Sequence, residues 1–175
     1  MRTFIALEPP AAFADEAAGV ARTLSRAVEG RFLPRESYHL TLAFLGEADN
    51  AGAARAMDAL DEACAGRGPV PLRPEGLGKF GRASDATLWL GIADDPALTG
   101  LAAAVRDALA ARGLPFDEHP FRPHLTLARR ARIPRAALPP LAFPAPAVAT
   151  RVALLKSTLS REGAEYKPLS VVSLR

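Results

Sequence analysis

His39-Leu40-Thr41-Leu42 and His124-Leu125-Thr126-Leu127 are one four-residue phrase written twice, and they use two of the chain's three histidines. Side chains of an extended strand alternate between its faces, so a His-x-Thr triplet sends imidazole and hydroxyl to one face and leucines to the other. On the first strand His39, Thr41 and Ala43 oppose Leu40, Leu42 and Phe44. On the second, His124, Thr126 and Ala128 oppose Leu125 and Leu127. Each phrase reads as a strand with an apolar side for a core and a polar side kept open by a small alanine. Two such strands facing each other would gather two imidazoles and two hydroxyls around one small anion.

The flanking sequence places both phrases in the same context. Residues 4–8 predict a short strand ended by Pro9-Pro10. Residues 11–28 predict a helix, with Phe13, Ala17, Val20, Ala21 and Leu24 at helical spacing. Residues 38–45 form the first His strand, closed by Gly46; residues 51–65 predict a second amphipathic helix, and 70–73 and 77–80 broken strand. The order then restarts. Residues 86–93 predict a strand, and 97–112 a helix opened by Asp95-Pro96 and closed by Gly113. Residues 121–129 form the second His strand. A proline-rich connector over 134–146 leads to two more strands, 150–157 and 167–174. Strand, helix and His strand thus recur near residues 3–46 and 86–130, which points to an internal duplication. The expectation is one α+β domain over residues 1–175. It has two pseudo-twofold-related lobes, each an antiparallel sheet backed by helices, around a central cleft.

Composition narrows the setting. The chain is 49% hydrophobic and 23% charged, a globular balance, with a net charge of +3. Lys79, Lys156 and Lys167 are the only lysines, so arginine carries the basic charge. Arginine forks suit phosphate, although a general Arg and Ala bias accounts for the count more simply, and the charge alone does not predict nucleic-acid binding. Cys64 is the sole cysteine, which leaves no intramolecular disulfide and no zinc-type cluster. Neither a metal nor another cofactor is expected. The start of the chain lacks a signal-peptide pattern, and no apolar run reaches the roughly 18–20 residues of a membrane helix. A cytoplasmic monomer without a membrane role is the expectation.

Histidine exchanges protons near neutrality. Two imidazoles on opposite sides of a phosphorus can act as base and acid for in-line displacement, while threonine hydroxyls and arginine hold the non-bridging oxygens. A lone strand histidine is usually structural; the duplication is what raises the pair above that reading.

With its flanks, the sequence resembles the 2H phosphoesterase superfamily, and within it the bacterial and archaeal RNA 2′,3′-cyclic phosphodiesterases, historically called 2′–5′ RNA ligases. The resemblance is carried by ArgThrPheIleAlaLeu at 2–7, TyrHisLeuThrLeuAlaPheLeuGly at 38–46 and ThrLeuTrpLeuGlyIle at 87–92. It continues in PheArgProHisLeuThrLeuAlaArg at 121–129 and LeuLysSerThrLeuSerArgGluGlyAlaGluTyr at 155–166. It implies two α+β lobes, no metal, and opening of a 2′,3′-cyclic phosphate at an RNA 3′ end to leave a 2′-phosphate. It also implies that His39 protonates the 3′ oxygen, that His124 activates water, and that Thr41 and Thr126 hold phosphate oxygens. A basic residue after the second motif falls on Arg129. In an unbroken strand Arg129 faces away from His124 and Arg130 faces with it, so either the strand bulges or ends first, or Arg130 takes the role; the resemblance favours Arg129. Reversible 2′–5′ ligation, hydrolysis of a small cyclic nucleotide or 2′–5′ oligonucleotide, and a non-catalytic nucleotide- or RNA-binding module are the competing readings.

Other features read as structural. Gly76-x-Gly78-x-x-Gly81 matches a dinucleotide fingerprint in letters, but a strand rather than a helix follows it, so a glycine-rich turn near the cleft rim is expected. His119 reads as a solvated loop residue, and Phe44 and Trp89 as core.

Overall fold

The computed structural model describes residues 1–175. Ten strands and three helices follow in the order β1 (Arg2–Glu8), α1 (Ala11–Ser25), β2 (Glu29–Phe32), β3 (Leu40–Glu47), α2 (Asn50–Cys64), β4 (Val70–Leu72), β5 (Pro74–Arg82), β6 (Asp85–Ile92), α3 (Pro96–Ala111), β7 (His124–Arg132), β8 (Ala147–Ala149), β9 (Arg151–Ser160) and β10 (Gly163–Ser173). A single 3-10 turn, Arg35–Ser37, precedes the first histidine. Asp49 and Asp95 cap α2 and α3 by accepting from Gly52 N and Ala97 N. Such caps contribute about 1 kcal/mol each.

The strands form two four-stranded sheets, β10-β9-β1-β3 and β2-β7-β6-β5, and a small β4-β8 pair. Every pairing is antiparallel. In each large sheet the His strand lies beside the strand that opens its repeat, β3 beside β1 and β7 beside β6. The halves of the chain nevertheless exchange material. β2, from the first repeat, pairs with β7; β9 and β10, from the end of the chain, complete the sheet of β1 and β3. The lobes are therefore not contiguous halves of sequence.

One apolar cluster joins both sheets and all three helices, including Ile5, Leu7, Leu24, Leu42, Leu60, Leu101, Leu125, Leu127 and Val152. The other face of the first sheet is also apolar: Phe4, Ala6, Ala153 and Leu155 make a second small cluster under Phe44 and Tyr166. β1 is thus buried on both faces, and its unbroken Phe-Ile-Ala-Leu run reflects that. No helix is long and apolar enough to cross a membrane.

Candidate active site

β3 and β7 meet between the sheets. His39 stands just before β3, two residues past the 3-10 turn, and His124 is the first residue of β7. Both imidazoles are anchored alike. His39 Nδ1 lies 2.8 Å from the Ser37 carbonyl and His124 Nδ1 2.7 Å from the Arg122 carbonyl, each two residues upstream. A carbonyl only accepts, so each Nδ1 carries the proton and the lone pair of the neutral ring sits on Nε2. Each ring is also flanked by two aromatic residues. Phe4 and Tyr166 approach His39 with centroids at 4.8 and 5.1 Å, Tyr166 edge-on at 88°. Phe80 and Trp89 approach His124 at 5.1 and 5.6 Å, Phe80 edge-on at 88°.

These surroundings favour the neutral imidazoles. Burial pushes His39 down to about 4; the Ser37 carbonyl opposes this, while the charges of Arg129 and His124 reinforce it. His124 is lowered in the same way, first by burial, with the charges of Arg122 and Arg129 adding to it against the Arg122 carbonyl.

Arg129 reaches this centre through a break in β7. Between the pairs Trp89↔Thr126 and Leu88↔Ala128 the partner strand advances one residue and β7 two, and Leu127 and Ala128 are both buried. A second slip, between Leu88↔Ala128 and Ala86↔Ala131, takes up its extra residue at Arg130, whose φ of 54° is the one positive value outside glycine. The first of these bulges reverses strand parity between Thr126 and Arg129 and returns Arg129 to the face of His124. Arg129 accordingly lines a cavity of about 270 Å³ with His39 and Thr41, while Arg130 turns to Asp85 at 3.1 Å. Neither Arg129 nor Arg122 takes part in an ion pair.

Thr41 links that cavity to a larger one of about 720 Å³ that contains His124. Thr126 is half-buried on β7, opposite Trp89 in the β6–β7 register. Phe44 is not in the core as its parity suggested. β3 slips against β1 between Ile5↔Ala43 and Ala6↔Thr41, and Phe44 lines both cavities with Arg2 stacked 4.8 Å over its ring. β3 is an edge strand, and its outer carbonyls are capped from the second half of the chain: Arg106 Nε donates to Leu42 O at 3.1 Å and Asp117 N to Phe44 O at 2.8 Å. Arg106 Nη1 also donates to His119 O at 2.8 Å, tying the approach to His124 onto the strand of Thr41.

Trp89 is buried as expected, yet its ring serves His124 rather than the main core. It lies over Gly78, where a Cβ would come within 2.1 Å of Cη2. The glycine pattern of 76–81 is therefore strand β5, not the expected turn, and its middle glycine makes room for an indole. The sequence does not predict Phe4, Tyr166 and Phe80 at the site, because contacts between residues 35 to 127 positions apart leave no local pattern; the Gly78 facing Trp89 in the β5–β6 register is the one trace in sequence. His119 is exposed and pairs with Asp117. No three His, Cys, Asp or Glu side chains converge anywhere in the fold to hold a metal ion.

Known proteins share this fold. The family profile described as the 2′-5′ RNA ligase superfamily matches residues 9–161. The chain is similar to the RNA 2′,3′-cyclic phosphodiesterase of Thermotoga maritima, 31% identical over 97% of this chain and 93% of that one. It is similar to that of Escherichia coli at 32%, over 96% and 93%. A Geobacillus stearothermophilus protein of the same name is 33% identical over 76% of this chain, which spans 43% of that protein's length. Among solved structures, one from Thermus thermophilus superposes with a TM-score of 0.84 at 27% identity, covering 100% of this chain and 98% of that one. E. coli LigT with 3′-AMP superposes at 0.79 and 29%, covering 99% and 97%. Along most of its length, the chain belongs to the 2′-5′ RNA ligase superfamily, in the company of the RNA 2′,3′-cyclic phosphodiesterases.

Proposed function

We propose that the protein hydrolyses the 2′,3′-cyclic phosphate at an RNA 3′ end to a 2′-phosphomonoester, without a metal. His124 Nε2 takes a proton from water, whose oxygen attacks phosphorus. The P–O3′ bond breaks, and a protonated His39 gives its Nε2 proton to O3′. The two histidines finish with exchanged protons, and solvent resets them. Thr41, Thr126 and Arg129 hold the non-bridging oxygens, where charge develops as the fifth oxygen arrives.

The observation that carries this reading is the matched pair of imidazoles, each with Nδ1 fixed on a carbonyl and Nε2 left free, with one unpaired arginine acting on both. The 3′-AMP bound by E. coli LigT supports a nucleotide in the cleft. Arg129 is preferred to Arg130 because it lines the cavity of His39 and Thr41, whereas Arg130 faces Asp85.

The test is an oligoribonucleotide ending in a 2′,3′-cyclic phosphate. The expected product is the 2′-phosphate, formed undiminished in EDTA. His39→Ala and His124→Ala are each expected to lose at least about 100-fold in kcat, as removal of a general acid or base does. A 3′-phosphate product would reverse the oxygen assigned to His39, and full rates in both variants would end the mechanism.

A further inference from the structure

The two imidazoles belong to copies of one motif, yet the residue two places before each one differs. Ser37 precedes His39, and Arg122 precedes His124. Both lend a backbone carbonyl to Nδ1, at 2.8 and 2.7 Å. Only Arg122 brings a charge with it.

That charge is held in place. The Arg122 guanidinium lies 4.9 Å over the Trp89 ring, and the centroid of the same indole stands 5.6 Å from that of His124. Arg122 enters no ion pair and lines the same cavity as His124. Tryptophan is the best aromatic partner for a cation, and stacking confines a side chain that solvent would otherwise leave free. Trp89 Nε1 is buried without a hydrogen-bond partner, a cost that a phenylalanine would not carry. Gly78 clears the space that the indole fills. The indole therefore acts as a seat for Arg122 and a wall for His124, not as a donor.

The other charged groups around His124 are engaged or shared. Arg106, from α3, spends Nε and Nη1 on the Leu42 and His119 carbonyls, and Asp117 pairs with His119. From β5 and β6 come the rings of Phe80 and Trp89, and the β5 ammonium of Lys79 donates to the Gly81 carbonyl. His39 lies across the cleft, and Arg129 acts on both imidazoles. Arg122 bears on His124 and not on His39. A phosphate anion settling on Arg129 offsets a charge that both rings feel, whereas the charge of Arg122 remains.

We propose that Arg122 is a positioning residue that divides the labour of the two histidines: its carbonyl orients His124, and its guanidinium, seated on Trp89, reserves that ring for the base. This rests on the phosphodiesterase reading for the reaction, but the field at His124 is measured without it.

The experiment is an NMR titration of the three histidine rings in the wild type and in Arg122→Gln, which keeps the carbonyl and removes the charge. The His124 midpoint is expected to rise by at least about 0.5 pH unit in the variant, the scale of one nearby cation in a partly solvated site. The His39 midpoint moves less. Arg122→Lys restores the wild-type value at His124. Arg132→Gln, on an exposed side chain outside the cavity, moves neither ring. On an RNA end bearing a 2′,3′-cyclic phosphate, kcat/KM of Arg122→Gln is expected to fall about threefold below the His124 midpoint, the kinetic equivalent of that shift, and to regain the wild-type value above it. An unmoved His124 midpoint overturns the proposal, as does an equal rise at His39 or a loss of rate that is the same at every pH. A His124 shift of the expected size in a protein that hydrolyses no cyclic end would instead strike the phosphodiesterase reading.

Discussion

A histidine boxed by aromatic rings gives up its proton early, and both catalytic candidates are boxed. His39 falls from 6.5 to about 4 on folding, mainly through burial. Between those values the unfolded chain holds a proton that the folded one lacks, so stability is full above pH 6.5 and declines as pH falls toward 4. His39→Gln removes this term. The urea midpoint of the variant is expected to drop less between pH 6.5 and pH 4 than that of the wild type. Catalysis feels the same shift. The competent free enzyme carries a proton on His39 and none on His124, and both groups discharge below the ordinary imidazole value. The kcat/KM profile reports the free enzyme, and is expected to peak on the acid side of 6.5. A bound phosphate anion favours the imidazolium, which moves the kcat profile upward relative to it. A kcat/KM that stays level to about pH 8 would contradict the assignment of roles.

At the scale of elements, the decisive object is the first bulge in β7. Deleting Arg130 removes only the second slip, between Ala128 and Ala131; the slip between Thr126 and Ala128 stays, and Arg129 keeps its place in the cavity. The deletion is expected to keep activity, whereas Arg129→Ala is expected to lose about 100-fold, the usual cost of one lost charge-stabilising donor. An Arg129→Ala variant with wild-type kcat would dissociate Arg129 from the reaction. Gly78→Ala sets a methyl 2.1 Å from the Trp89 ring, so the indole must leave His124. A loss of about 1–3 kcal/mol in stability, the range for overpacking, together with a shifted tryptophan emission, is the expected result. Sequence disclosed the His strands because alternation is a local property. It left the bulge as one of several alternatives and did not disclose β2. Glu29–Phe32 is four residues long and almost wholly exposed, so nothing in it alternates; it is a strand only because β7 is there to pair with it. Helix α1 ends at Ser25 rather than Val28 for the same reason, since the chain must turn to reach β7.

Across the whole molecule, the sequence shows two repeats but not their exchange of strands. One apolar cluster spans both sheets, and each sheet borrows from the other half. Neither half can bury its own apolar faces. Urea unfolding followed by Trp89 fluorescence and by far-ultraviolet dichroism is therefore expected to give coincident curves. Fragments 1–84 and 85–175 are each expected to stay unfolded when expressed alone. A fragment with a cooperative transition of its own would show that the shared core is dispensable.

The pairing of β1 with β9 also sets an order on the ribosome. Arg2 through Glu8 find their partners at Arg151 through Ser157, so the first strand made waits for nearly the last. Tyr166, which stands edge-on to His39, is synthesised later still. A nascent chain halted after β7 holds both histidines, yet it lacks the strand that seats β1 and the ring that fixes one imidazole. Contacts this distant along a chain form slowly. The centre is the last thing the polypeptide completes, and an interrupted copy is inert however much of the helical part has already folded.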